Sequence, residues 1–426
     1  MTHILEDLKA FLDHSPTAWH AVAEMGNRLA GLDFIPLNEK DKWNLEEGKS
    51  YFVTRGGSFC AFTLPQSLPS KLTLLAAHTD SPALKIKPQP EFQKENMTLF
   101  GVEVYGAPLL TSWLNRELGI AGRIVVTNAQ GEIEEKLLFL DDMPLFIPQL
   151  AIHLDREVNE KGLVLNKQEH LPPIVSLGNG EGLHKGFLES LIRRHFTFNS
   201  LLGFDLFLIP LEKSRYVGSN NEMLASYRID NLVSCHAALT AIAKAKNPNK
   251  EHLHMALFWD HEEIGSRSSE GAASPFFSDI LNRICERFHI GQEDLGRMKS
   301  NSLAISIDMA HALHPNYSAK HDPHHPPLLG KGIVIKFNAD QKYASSAVTS
   351  APLIQFCQKN NLNYQFFTGR ADIPCGSTVG PIFATATGIP TVDIGTPQLA
   401  MHAARELMAC QDHVDMCTLL TSLLNE

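Results

Sequence analysis

Five short polar clusters in this chain follow apolar runs or stand where helices and strands begin and end. They are His78-Thr79-Asp80 after the run 72–77, Asp230-Asn231, Glu262-Glu263 after 255–259, Asp308 after Leu303–Ile307, and Met401-His402. Open α/β sheets place their ligands at such strand ends. Two imidazoles and several carboxylates, with no thiolate among them, are the donors of a catalytic zinc, cobalt or manganese site. Each cluster alone has a plainer explanation. Asp230 could cap a helix, Asp80-Ser81-Pro82 could be a turn, and Glu262-Glu263 could be a solvated loop. Five such coincidences at strand ends favour the metal site.

Spacing adds detail. Residues two apart in extended chain point the same way, so Asp80 can stand beside His78 and orient its ring, as metal-bound histidines require. The adjacent Glu262 and Glu263 point apart, so one can ligate while the other reaches a water. A carboxylate bridging two ions would hold them about 3.5–4 Å apart; Asp230, just before a helical run, is the candidate bridge.

These residues need a scaffold. Two amphipathic patterns parted by Ser15-Pro16-Thr17 open the chain, followed by strand-like runs at 50–53, 58–64 and 72–77. Met97–Tyr105 reads as a strand, and 122–140 as a hairpin around Asn128–Gly131. From about 225 onward strands alternate with helices, with strands at 255–259 and Leu303–Ile307 and helices at 278–288 and 351–359. The expected architecture is α/β: a mostly parallel sheet covered by helices, formed by 1–88 and 222–426, with a β-rich domain at 89–221 inserted in it.

The chain has 426 residues, enough for two or three domains. Its 47 acidic against 37 basic residues give a net charge of -10, which argues against a nucleic-acid backbone as partner. Seven cysteines, odd in number and never in a C-x-x-C pair, suit a reducing compartment. The opening MTHILEDLKAFLDHSP lacks the order of a secretory leader. The uncharged run 373–392 is interrupted by three prolines and three glycines, so no membrane span is expected there. A cytoplasmic protein with no membrane partner follows. The histidines 311, 314, 321, 324 and 325 look like a metal tract, with a polar loop after Leu303–Ile307 as the plainer reading. Cys375 has no adjacent base to make it a nucleophile.

With these residues in view, the chain resembles the M18 metallo-aminopeptidases, also called aspartyl aminopeptidases, over nearly its whole length. The resemblance rests on AAHTDSP (76–82), RIDNL (228–232), DHEEIGS (260–266), SIDMAHALHPNY (306–317), DIPCGSTVGP (372–381) and GTPQLAMHAARE (395–406). It implies a di-metal exopeptidase-like fold with two divalent ions per subunit, zinc first and cobalt or manganese as alternatives. His78, Asp230 and Asp308 would hold one ion, and Asp230, Glu263 and His402 the other. Glu262 would be the general base, with Asp80 behind His78. His311, Lys336 and Tyr343 match positions that contact substrate. His153, in the inserted domain, matches a histidine that reaches a neighbouring subunit's site, metal ligation being its alternative role.

The implied activity removes the first residue, Asp or Glu, from peptides with a free N-terminus. The implied assembly is a tetrahedral homo-dodecamer paired through the inserted domain. Two rival functions remain at this level. Another di-metal hydrolase on the same fold, a carboxypeptidase or N-deacylase, would tolerate or demand a blocked amino terminus. A non-catalytic peptide-binding scaffold would have a degraded site, yet Glu262 and all five ligand candidates are present.

Overall fold

The computed structural model describes residues 2–178, 186–246 and 250–426. The chain forms two compact units: Met1–Asp80, Ser214–Met401 and Glu406–Glu426 make one, and Ser81–Lys213 with His402–Arg405 make the other.

The first unit is built on a nine-stranded sheet in the order Ile35–Leu37, Ser50–Arg55, Ser58–Thr63, His252–Trp259, Lys71–His78, Leu303–Ile307, Thr391–Gly395, Ile333–Lys336 and Tyr364–Phe367. Its four central strands, His252–Trp259 through Thr391–Gly395, run parallel. The short Gly56-Gly57 turn forces Ser50–Arg55 and Ser58–Thr63 to pair antiparallel. Ser58–Thr63 also runs against His252–Trp259, and Thr391–Gly395 against Ile333–Lys336. The sheet is therefore mixed around a parallel centre.

Both faces of that centre are buried, which explains why its strands read as unbroken apolar runs. Alternate residues serve opposite cores. Ala256 and Phe258 join Leu75 and Ala77 on one face, under the helices Thr2–His14, Ile229–Lys244 and Cys410–Leu423. Leu253, Met255, Leu257 and Trp259 join Leu72, Leu74 and Ala76 on the other, against Phe276–Arg287 and Val379–Thr387. The last helix lies inside the uncharged run 373–392. Pro381 is tolerated because it sits in the first turn, where a missing N–H costs nothing, and Gly388 ends the helix in the left-handed region with φ 72°. No helix among the described residues is long and apolar enough to cross a membrane.

The second unit is a closed six-stranded barrel in the order Ser200–Pro210, Ala83–Lys94, Met97–Tyr105, Ile174–Leu177, Ile133–Phe146 and Glu117–Thr127. Asn128 builds the turn between Glu117–Thr127 and Ile133–Phe146: its Oδ1 accepts the N–H groups of Gln130 and Glu132, both at 2.9 Å.

Candidate metal centre

Three neighbouring parallel strands end at one edge of the first unit's sheet. His78 is the last residue of Lys71–His78, its register partner Trp259 is followed by Asp260–Glu263, and Leu303–Ile307 is followed by Asp308. Asp230 enters from the start of Ile229–Lys244. It is not the N-cap of that helix, because Arg228 holds the cap position, and Asp230 and Asn231 themselves have non-helical backbone angles. That break frees the Asp230 carboxylate to turn toward the strand ends, and its N–H donates to Glu406 Oε2 at 3.0 Å.

The side chains converge on His78. Its Nε2 lies 3.4 Å from Asp230 Oδ1 and 3.7 Å from Asp308 Oδ1. On the ring's other side, Nδ1 lies 3.3 Å from Asp80 Oδ1 and 3.2 Å from the Asp80 carbonyl. The Asp80 carboxylate also accepts the N–H of Glu262 at 3.1 Å and of Glu263 at 3.0 Å. One buried carboxylate thus ties the histidine to the turn carrying both glutamates. His78, Glu262 and Glu263 place one donor atom each within 4.8 Å of one another, as do His78, Asp230 and Asp308.

Burial sets the electrostatics. It opposes charge on His78, yet hydrogen bonds to Asp230, Asp308 and Asp80 hold its pKa well above the usual value. Burial, with Asp308, Asp80 and Asp230 repelling and His78 attracting, pushes Glu262 up to about 8. Glu263 is raised well above the carboxylate range by burial and then by Asp230, and Asp260 by burial and then by Asp80. So many carboxylates around one imidazole repel each other unless cations join them. Oxygen and imidazole donors without a thiolate suit zinc, manganese or cobalt. The nearest thiol, Cys235, donates instead to the His78 carbonyl at 3.0 Å.

Lys336, the last residue of Ile333–Lys336, is 2% exposed, so its side chain is buried at the strand end and does not face solvent. Its Nζ lies 3.8 Å from Asp308 Oδ2 and 5.3 Å from the Tyr343 ring centroid. Gly395 makes room for this: a Cβ there would collide with the Asp308 carbonyl and crowd the lysine. Tyr343 and His311 both face the Phe367 ring, at centroid distances of 6.1 and 6.0 Å. His311 also lines a cavity of about 300 Å³ with Lys320, His321, Arg370 and Cys375. His402 belongs to the other unit, where its Nδ1 is 3.1 Å from the Ala107 carbonyl. His153 sits in an exposed loop of that unit beside Ile152 and Leu154.

Several residues of this site were not singled out from the sequence. Arg228, 3% exposed, donates to the carbonyls of Ser15 and Thr79 and bears electrostatically on Asp80 and Asp260. Asp260 accepts the His261 N–H at 2.8 Å, and Asp393 accepts from Thr378 Oγ1 at 2.7 Å and Ala344 N–H at 2.6 Å. Arg228 and Asp260 stand inside the quoted motifs, which was the available signal. Asp393 sits within an apolar strand and offered none.

A model of the family described as Aminopeptidase I zinc metalloprotease (M18) matches residues 11–423. The "Probable M18 family aminopeptidase 2" of Pseudomonas aeruginosa (strain UCBPP-PA14) is 41% identical over 409 residues, spanning 94% of this chain and 93% of that protein. Among solved structures, a chain of the Ape4 and Nbr1 complex matches with a TM-score of 0.94 at 34% identity, covering 99% of this chain and 85% of its own. The S. cerevisiae mApe1 dodecamer shares the fold, with a TM-score of 0.86 at 24% identity over 99% of this chain and 96% of its own.

Proposed function

We propose, from the premise that this chain belongs to the Aminopeptidase I zinc metalloprotease (M18) family, that it is a two-ion aminopeptidase removing an acidic first residue from peptides. As an M18 aminopeptidase it is a metal-dependent hydrolase of peptide bonds. The observation carrying the site assignment is the convergence of Asp230, Asp308, Glu262 and Glu263 on His78, with Asp80 behind the ring. His78, Asp230 and Asp308 would hold one ion. Asp230 and Glu263 would hold the second, with His402 added on the family resemblance alone. The donor set fits zinc, with cobalt or manganese as substitutes.

Bound there, two such ions would supply a water acidified toward neutrality and a polarised scissile carbonyl. Glu262, anchored through its N–H to Asp80, takes the water's proton and returns it to the leaving amine. Asp80 fixes the His78 ring by accepting from Nδ1, leaving Nε2 to face the ligand position. Lys336, Tyr343 and His311 belong to the substrate side. Lys320 and Arg370 on the cavity lining, the latter paired with Asp372, together with buried Lys336 support a carboxylate-bearing first residue.

The same reading extends to assembly and place. The chain would form a tetrahedral homo-dodecamer in the cytoplasm, with the 89–221 domain inserted in the 1–88 and 222–426 catalytic domain as its pairing surface. The exposed apolar residues Leu150, Ile152 and Leu154 flank His153 and support burial of that loop against another subunit, where His153 would contact the neighbour's substrate.

Initial rates over peptides differing only in their first residue, on metal-stripped and metal-restored protein, test the activity. Asp- and Glu-peptides should lead, and acetylating their amino terminus should abolish cleavage. Faster cleavage of Leu- or Ala-peptides would overturn the specificity, and cleavage of blocked peptides the aminopeptidase reading. Light scattering showing an active monomer would overturn the assembly, and His153→Ala with full turnover the shared site.

A further inference from the structure

A second cluster of metal-binding side chains lies in the helical layer of the first unit, apart from the strand-end residues above. His413 and Cys417 are four apart on Cys410–Leu423, so both face the same neighbour. That neighbour is His236 of Ile229–Lys244. His236 Nδ1 lies 3.0 Å from His413 Nε2, which in turn lies 3.4 Å from Cys417 Sγ. All three donor atoms are within 4.8 Å of one another. His236 and His413 are 0% exposed and Cys417 3%.

Three features go beyond crowding. First, Asp7 Oδ2 stands 2.9 Å from His236 Nε2. A carboxylate accepting there fixes the proton on Nε2 and aims the Nδ1 lone pair at His413 and Cys417, the arrangement that supports metal-bound histidines. Second, His413 Nδ1 is fully buried with no hydrogen-bond partner among the described residues. The His413 proton can sit on Nε2 and bridge to the His236 Nδ1 lone pair at 3.0 Å; when it sits on Nδ1 instead, the two facing lone pairs are joined only by a cation between them. Third, two nitrogens bound at about 2.0–2.1 Å to one ion stand roughly 3.3–3.6 Å apart, so the rings need part by only about half an ångström to admit it.

We infer that His236, His413 and Cys417 form a thiolate-bearing site for a single soft monovalent cation, Cu+. Thiolate with imidazole is a soft donor set. Three ligands suffice for Cu+, whereas zinc takes four. Charge points the same way. Binding replaces the Cys417 S–H proton with the ion and releases that proton to solvent, so Cu+ and thiolate cancel inside an apolar layer that includes Phe11, Met416 and Leu420. The charge on Asp7 is already met by Arg28 Nη1 at 2.9 Å. A divalent ion would leave one positive charge buried.

The test uses the full chain, metal-stripped and titrated anaerobically with Cu+ held by an excess of a Cu+-specific chelator. Copper content after desalting and the near-ultraviolet thiolate-to-copper band are read together. Wild type should retain one copper per chain with that band, and both should be lost in Cys417→Ser and in His413→Gln. Because the strand-end ligands include no thiolate, the band reports this cluster and not the peptidase site. The wild-type measurement stands whether or not the variants fold. No copper retained by wild type against the chelator would overturn the site, as would equal retention and an unchanged band in folded Cys417→Ser. A thiolate band with Co2+ but not with Cu+ would overturn the monovalent assignment.

Discussion

Two buried histidines in one unit are each held by an aspartate, and their partners differ in how far along the chain they lie. His78 and Asp80 are two residues apart at a strand end, whereas Asp7 and His236 are 229 apart, on two helices. The first pair sits where parallel strands stop and side chains open toward a ligand, surrounded by carboxylates. The second sits between helices, surrounded by leucine, methionine and phenylalanine. Hard oxygen donors at one place and a thiolate at the other suit different ions. Such a division lets one fold carry a reactive site and a sealed one without the two competing for metal.

The largest effect expected is at the strand ends. Glu262→Gln should keep the bound metal and lower kcat by about 10²–10⁴-fold, because the amide keeps the shape but cannot accept the proton. Glu263→Ala should lose metal and activity together. Elemental analysis beside kcat distinguishes the two; a Glu262→Gln protein stripped of metal would mean the adjacent glutamates have exchanged roles.

Smaller effects compare the two supporting aspartates directly. Asp80→Asn should weaken metal binding or turnover by roughly 10–100-fold, the usual consequence of losing a carboxylate behind a ligating histidine. It also weakens the acceptor for the Glu262 and Glu263 N–H groups, so loss of activity beyond loss of metal is expected. Asp7→Asn should cost a similar ~10–100-fold in copper affinity while peptide turnover stays at the wild-type rate. A fall in turnover with Asp7→Asn would show the two sites to be coupled.

The same contrast explains what could be read from the chain. Local relations were legible. The strands Met97–Tyr105 and Leu303–Ile307 begin and end where their apolar patterns do, and the placement of Asp80 beside His78 follows from a two-residue period. Relations made by distant segments were not. Closing six strands into a barrel depends on pairing Ser200–Pro210 with both Ala83–Lys94 and Glu117–Thr127, which no local pattern announces. The helix Gln292–Asn301 buries only Leu295 and Met298, too few apolar residues to mark a face. His236 lies in an apolar helical run and His413 beside Asp412, so neither signals its partner. The burial of Lys336 depends on Gly395 and Tyr343, brought to it by the sheet.

A third buried histidine sharpens the comparison because it faces no carboxylate of this kind. His254, 3% exposed near the start of His252–Trp259, is pushed down to about 4 by burial, then by His252 and Lys71. Its Nδ1 has no hydrogen-bond partner among the described residues. Above the ordinary value of 6.5 it is neutral folded or unfolded, and pH has no leverage through it. Between 6.5 and about 4 the unfolded chain takes the proton and the folded one does not, so stability falls as pH falls and the loss is complete below that window. At about 1.4 kcal/mol per pH unit over this window the loss is at most roughly 3–4 kcal/mol. His254→Gln should flatten this part of the profile in chemical denaturation run across the window, with peptide turnover at neutral pH unchanged. An equally steep profile in the variant would assign the acid sensitivity to another histidine, the half-buried His20 first, whose pKa desolvation and Arg228 also bring to about 4.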